Sequence, residues 1–488
     1  MKTYELLING GWGAGSGKPF PTINPYDEKI WADIPSADGS DVDAAVNAAY
    51  EAFESTWRRT SGLRRAELMF RLADLIDRDA QQLAEIETID NGKVIRETRT
   101  QMHFCARNYR FFGGCADKLT GETKPLDNYA MLDYTTREPL GVAALITAWN
   151  SPLALLANKL APALAAGNTV VIKPSEYTSA STLEFGRLIE EAGFPRGVVN
   201  IVTGAGETGH ALVTHPLVAK ISFTGSVATG SKIAEAAAKS IVPVTLELGG
   251  KSANIIFADA DLKRAVPGAV AGIFAAAGQT CIAGSRLLVH ESLYSDVLQA
   301  VAERARAVRL GDPLDPATEM GPVAHRAQLE SITADIARAR EDGAEVITGG
   351  AASTGNGSGL FLDPTVVGGV RNDMSLSQKE VFGPVLAVLP FSDDEQAAAI
   401  ANDSPYGLAA GIWTNDLTRA HLVAKELRCG TVWINTYRSS AAQAPFGGVK
   451  KSGYGRERGT EALLDYTRVK NVMIDLSNEV RDPFTLKT

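Results

Sequence analysis

Cysteine is scarce in this chain. Four thiols, Cys105, Cys115, Cys281 and Cys429, serve 488 residues. None has metal-ligand spacing, and so few over such a length do not make a disulfide framework. Free thiols, no metal and a reducing, cytoplasmic setting are therefore expected. Long apolar runs are also missing. Stretches such as Ala269 to Ala277 are short and interrupted by glycine, well under the ~20 residues of a membrane span. There is no long basic run, and the formal net charge is −9. Both facts argue against nucleic acid and anionic membrane as partners. The opening MKTYELLINGGW has no basic stretch leading into an apolar one, so no secretory leader is expected.

The composition that remains is ordinary for a globular protein, with 45% hydrophobic and 22% charged residues. The length suggests roughly two to four domains with a substantial buried core. Residues up to Pro35 are rich in Gly, Pro and Asn and read as short strands and turns. Helices are expected at Asp41 to Trp57, Gly62 to Asn91 (capped by Gly92) and Val94 to Gly113. Leu119 to Arg137 reads as an exposed hairpin, with an alternating run from Tyr129 to Thr136.

Between Pro139 and Leu248 short apolar runs alternate with helical stretches. Strands are expected at 141–146, 169–173, 197–202, 219–223 and 242–248. That alternation signals βαβ units and a parallel sheet. The predicted class is α/β, with a doubly wound, Rossmann-like domain. A second α/β domain follows to about Leu464, with strands near Asn254–Phe257, Arg286–His290, Pro384–Phe391 and Thr431–Asn435. A helix is expected over Leu262 to Ala277. STGNGSG (353–359) reads as a surface loop. Tyr466 to Leu476 alternates again and is expected to pair with the early hairpin.

The stretch from Pro243 to Arg286 carries the chemistry. Glu247 closes an apolar run before Gly249 and Gly250, and Cys281 sits among Gly278, Gln279, Thr280, Ala283 and Gly284. An acid and an uncrowded thiol suit a base and its nucleophile. Each alone also reads as a strand-end acid or a small buried hydrophobe. Asn150 follows a strand and precedes Pro152. Its amide suits oxyanion stabilisation, or merely a turn. Gly204, Gly206 and Gly209 form a literal G-x-G-x-x-G after a strand, but no acid closes the next one. Lys173 and Glu176 stand at a strand's carboxyl end, where such folds bind ligands. A carboxylate there can hold both ribose hydroxyls and would repel a 2′-phosphate. The same pair also reads as a solvated i, i+3 ion pair. FTGSVATG (223–230) places Gly225 and Ser226 at a helix start.

Seven segments run together in order: AWNSP (148–152), KPSE (173–176), FTGS (223–226), LELGGKS (246–252), GQTCIAGSR (278–286), EVFGP (380–384) and PFGGVKKSGYGRE (445–457). Together they resemble the NAD(P)-dependent aldehyde dehydrogenase superfamily, in its hydrolytic branch, over nearly the whole chain. The resemblance implies an NAD-binding domain (1–118 and 139–248), a catalytic domain (249–467) and an oligomerisation arm (119–138 with 468–488). It implies a homodimer or homotetramer. NAD is expected as cofactor, with NADP less favoured because of Glu176.

By position, Cys281 is similar to the nucleophile, Glu247 to the base and Asn150 to the oxyanion donor. The cofactor contacts implied are Ile146, Trp149, Lys173, Ser175, Glu176, Gly206, Phe223, Gly225, Ser226, Leu248, Glu380 and Phe382. Glu457 falls behind the base. The implied reaction passes through a Cys281 thiohemiacetal and thioester to a carboxylic acid. Two departures concern the substrate. Ser151 stands where many members carry an aromatic, and Arg438, Ser439 and Ser440 stand where hydrolytic relatives often place bulk. A wider or more polar pocket is expected, with Arg438 meeting an anionic group or lying on the surface. Competing readings are a CoA-acylating or phosphorylating dehydrogenase, a thiol esterase or acyltransferase, and a non-catalytic cofactor-binding protein.

Overall fold

The computed structural model describes residues 2–353, 359–477 and 484. Among these, two large sheets form the frame. The first has eight strands in the order Gly453–Tyr454, Val244–Glu247, Val218–Thr224, Val142–Ile146, Thr169–Lys173, Val199–Ile201, Leu6–Ile8 and Gly11–Gly13. The five from Val244–Glu247 to Val199–Ile201 are parallel. Their apolar runs are buried on both faces, as at Val142–Ile146 and Thr169–Lys173. Helices Pro152–Ala166, Ala180–Ala192, Gly206–Val213 and Val227–Ser240 make the crossovers. The chain starts at the central strand Val142–Ile146, winds outward one way, then returns to the other side at Val218–Thr224. A doubly wound sheet opens a ligand crevice at such a reversal.

The second sheet has seven strands: Glu345–Thr348, Thr365–Gly368, Val385–Phe391, Arg286–His290, Ala253–Ile256, Ala409–Trp413 and Thr431–Ile434. Only the edge strand Glu345–Thr348 runs antiparallel. The α/β class and the doubly wound first half are as read from the sequence. Three strands here escaped that reading. Thr365–Gly368 and Glu345–Thr348 have four residues each, and Ala409–Trp413 is built largely from small residues. All three are short or small-residue signals that sheet pairing decides.

Two helix expectations need correction. The 62–91 stretch is two helices, Gly62–Arg78 and Ala80–Asn91, parted at Asp79 (φ −101°, ψ 15°). Helix Leu262–Phe274 stops short of Ala277. Ala276 (φ 53°) and Ala277 (φ 52°) take left-handed conformations, which non-glycine residues hold only where surroundings over-determine them. The N–H of Ala276 donates to Glu97 Oε1 at 3.2 Å, which diverts the chain out of the helix.

A third sheet pairs Met131–Pro139 antiparallel with Thr467–Asp475, in register from Thr467 opposite Pro139 to Asp475 opposite Met131. Thr123–Lys124 joins its other edge. Val469, Met473 and Leu476 leave apolar surface exposed there. Residues 354–358 of the expected surface loop, and 478–483 with 485–488, lie outside the described residues. No helix among those described is long and apolar enough to cross a membrane.

Candidate active site

The five parallel strands of the first sheet end toward one crevice. Its walls divide into two adjoining clefts of about 560 and 230 Å³, which share Ala148, Trp149, Thr224, Gly225 and Ser226. Ile146, Lys173, Ser175, Glu176, Gly206 and Phe223 line the larger. Leu248, Glu380 and Phe382 line the smaller, with Asn150, Glu247 and Cys281. Every residue expected to be catalytic or to contact the cofactor therefore lines one of these two clefts, whereas Gly204, Ser151, Arg438, Ser439, Ser440 and Glu457 line neither.

In the larger cleft, Lys173 and Glu176 do not form the ion pair that their spacing allows. The buried Lys173 Nζ donates to Pro174 O at 3.0 Å, while Glu176 is half-buried beside Ser175. Burial lowers the Lys173 pKa, and Glu176 partly offsets this. Ser226 caps helix Val227–Ser240 by accepting from the N–H of Thr229 at 3.2 Å. A helix start with an adjoining glycine suits a phosphate. The buried hydroxyls of Thr147 and Thr224 have no hydrogen-bond partner, and both line this cleft. These features fit a dinucleotide.

The smaller cleft holds the reactive groups. Cys281 lies in a turn after the left-handed alanines, enclosed by protein yet reachable by solvent. Burial pushes its thiol up to about 12, reinforced by the Glu380 and Glu247 carboxylates. Asn150 Nδ2 donates to Gln279 O at 2.9 Å. That bond fixes the amide two residues before the thiol and leaves its second N–H available. Gln279 is itself clamped, accepting from the Ala324 N–H at 2.9 Å.

Glu247 ends its strand buried, and neither carboxylate oxygen has a hydrogen-bond partner. Burial raises its pKa well above the usual range. Glu457 adds to the rise, while Lys159, Arg456 and Arg458 oppose it. Gly447 has φ 152°, and a Cβ there would fall 2.6 Å from Glu247 Oε1. Glu380 is held by the Gly250 N–H at 3.0 Å. Burial pushes it up to about 7.

Three contributors were missed in sequence. Lys159 is fully buried on helix Pro152–Ala166 and ion-pairs with Glu457, also donating to Ser222 Oγ at 3.3 Å. Its signal was present: one lysine inside LLANKLAPALAA, with no sequence neighbour to pair it. Lys93 Nζ donates to Ser151 Oγ at 2.6 Å and to Gln101 Oε1 at 3.0 Å, so the position lacking an aromatic is occupied by a polar cluster. Arg458 arrives because Gly453–Tyr454 pairs with Val244–Glu247, setting Gly453 opposite Glu247. Its backbone sits at φ 60°, ψ 175°, a region costing about 1–3 kcal/mol for a non-glycine residue. No sequence signal marks that conformation. Arg438, also at positive φ, is half-buried and reaches Ala271 O at 3.4 Å.

Comparisons with known proteins agree with this geometry. The model of the aldehyde dehydrogenase family matches residues 12–472. The chain is 46% identical over 492 residues to a (Z)-2-((N-methylformamido)methylene)-5-hydroxybutyrolactone dehydrogenase of Acinetobacter baylyi, covering 100% of both chains. It is 44% identical over 481 residues to aldehyde dehydrogenase, cytosolic 1, of Elephantulus edwardii, covering 97% of this chain and 95% of that one. Among solved structures, betaine aldehyde dehydrogenase of Staphylococcus aureus in complex with NAD+ superposes with a TM-score of 0.97 at 37% identity, covering 99% of this chain and 97% of that one. The chain belongs to the aldehyde dehydrogenase family.

Proposed function

We propose that this aldehyde dehydrogenase carries out NAD-dependent oxidation of an aldehyde to its carboxylic acid, with Cys281 as nucleophile and Glu247 as the base that delivers water. One observation carries the reading. Glu247 presents two unbonded carboxylate oxygens to the cleft that holds the thiol. A structural acid would have found partners. Lys173, Ser175 and Glu176, with Ile146, Gly206 and Phe223, would hold the adenosine half of NAD. Trp149, Gly225, Ser226, Leu248, Glu380 and Phe382 would hold the remainder. When bound, NAD accepts the hydride.

The chain's own groups do the rest. Cys281 gives its proton to the solvent that reaches it and attacks the carbonyl carbon; the C=O π pair moves to oxygen, so the new C–S bond leaves an oxyanion. The free N–H of Asn150 and the Cys281 backbone N–H stabilise it. Among the described residues that backbone N–H donates to no backbone or side-chain acceptor. One such donor is worth roughly 10²–10³ in rate. The thioester formed on Cys281 remains labile to water. Glu247 takes a proton from that water, and the buried Lys159–Glu457 pair tunes its affinity for the proton.

Nothing favours a thiol hydrolase. None of the six histidines hydrogen-bonds Cys281 or Glu247 among the described residues. His325 instead lies stacked 4.0 Å from Tyr177. Glu247 also argues for water over CoA as acceptor. The test is NADH formation by the purified protein over an aldehyde panel, without CoA or phosphate, with Cys281→Ala as control. Activity is expected to fall by about 10⁴-fold or more in the variant. No NADH with any aldehyde, or full activity in the variant, would overturn the reading.

We assign residues 1–118 and 139–248 to NAD binding, 249–467 to catalysis, and 119–138 with 468–488 to an arm. The exposed apolar side chains of Val469 and Met473 support pairing of that arm with a second copy, giving a homodimer or homotetramer. The unpaired cysteines fit a cytoplasmic setting.

A further inference from the structure

Arg458 is spent on nothing that the reaction above requires. It follows Glu457 directly, and no carboxylate lies within 4 Å of its guanidinium among the described residues. The one hydrogen bond of its side chain among the described residues runs from Nε to Asn158 Oδ1 at 3.2 Å. The guanidinium lies between two rings, with its centre 4.9 Å from both Phe104 and Phe446. Aromatic faces hold a guanidinium plane without consuming its N–H groups. Both Nη atoms remain unbonded, and neither is sealed from water. A fork of parallel N–H groups is the geometry that receives a carboxylate in two bonds.

Phe446, one of the two rings that seat the fork, adjoins Gly447, where a Cβ would fall 2.6 Å from Glu247 Oε1, so the seat neighbours the base. The charge of Arg458 acts on both the Cys281 thiol and the Glu247 carboxyl. Asn158 projects from helix Pro152–Ala166, one residue before Lys159. The Arg458 backbone is held at positive φ while Glu457 exchanges two 2.7 Å hydrogen bonds with Phe446. Strain kept in a non-glycine residue at a site is explained by what the side chain must do.

We propose that Arg458, seated by Asn158 between Phe104 and Phe446, anchors a carboxylate borne by the substrate, so that the enzyme selects an aldehyde acid over a neutral aldehyde of equal length. The inference rests on the reading of Cys281 as nucleophile. Arg458 forms no bond to the reacting carbon. It holds the far end of the substrate while the carbonyl lies over the thiol.

The test compares kcat/KM for 4-oxobutanoate and butanal with NAD, in the wild type, Arg458→Met and Arg458→Lys. The wild type is expected to favour the anionic aldehyde by about 10–100-fold, the range of a hydrogen bond to a charged group. Arg458→Met should erase that ratio, with the loss on 4-oxobutanoate exceeding any loss on butanal and falling mainly in KM. Arg458→Lys should restore part of the ratio. In the wild type, succinate should also protect Cys281 from alkylation while butanol does not, a readout independent of variant folding. Equal use of both aldehydes by the wild type would overturn the inference. So would an unchanged ratio in Arg458→Met, or an equal loss on both substrates with a shifted pH profile, which would mean that Arg458 acts on the thiol. Absence of NADH from both aldehydes would instead sink the underlying reading of the site, and this inference with it.

Discussion

The two sides of Cys281 are built differently. On one side lie glycines, a helix start and short side chains at strand ends, as at Gly225, Ser226 and Lys173. On the other lie long cations from separate parts of the chain: Lys93, Arg438 and Arg458. The first side comes from consecutive strand-to-helix turns of one sheet, so its residues sit in short contiguous motifs. The second is assembled by closure between distant segments. A shared reaction with NAD asks for the first arrangement, and a particular aldehyde asks for the second.

That difference can be broken at the junction first. Glu247→Gln removes the base while leaving nucleophile and cofactor cleft in place. Steady-state turnover should drop by roughly 10²–10⁴-fold, while a first-turnover burst of NADH survives. Rapid-mixing absorbance would show it, and loss of the burst would move Glu247 ahead of hydride transfer. The sign of the pH effect follows. Burial raises the Glu247 pKa well above the usual carboxylate range, and only its carboxylate accepts a proton from water. The steady-state rate should therefore keep rising with pH above the range where an ordinary glutamate has already ionised.

A second change probes what supports the junction. Lys159→Met strands Glu457 in the interior, and an uncompensated buried charge costs about 3–5 kcal/mol. Denaturant titration should show that loss. An unchanged midpoint would mean that Glu457 takes up a proton freely.

On the cofactor side alone, Glu176→Ser should raise the ratio of NADP to NAD use by about tenfold, since one like-charge repulsion is removed. Competition kinetics would measure it, and an unchanged ratio would assign discrimination elsewhere.

The smallest signal concerns the thiol itself. With its pKa near 12, thiolate forms a small, rising fraction of the free enzyme. Alkylation of Cys281, followed on its peptide, should climb about tenfold per pH unit between pH 7 and 10. A plateau below pH 8 would mean a thiol already activated in the free enzyme.

How much of this was legible in sequence follows the same division. The strands Thr169–Lys173 and Arg286–His290 stand where periodicity put them. Each buries a short apolar run. Cys281, Glu247 and Asn150 were readable because each sits in a short motif. Lys93 was not, and Lys159 showed only that a lone lysine in an apolar helix needs a partner, since the partners, Ser151 and Glu457, lie far along the chain. Arg458 was the least readable. Its backbone lies where an arginine is not expected, and only the pairing of Gly453–Tyr454 with Val244–Glu247 puts it there. Ala276 and Ala277 were misread for a related reason: alanine favours a helix, and tertiary contacts overrode it.

That late two-residue strand has a consequence for biosynthesis. Ser452 donates to Gly249 O across 203 residues of chain, and Gly453 pairs with Glu247 beside it. At ~5–20 residues per second, the ribosome needs about 10–40 s to travel that interval. For most of it, once residue 281 has been added, the nucleophile's segment exists while the edge that settles the base does not. Catalytic competence is thus deferred until residue 453 has been added, and a chain terminated before it carries thiol and base without the edge strand that sets the base.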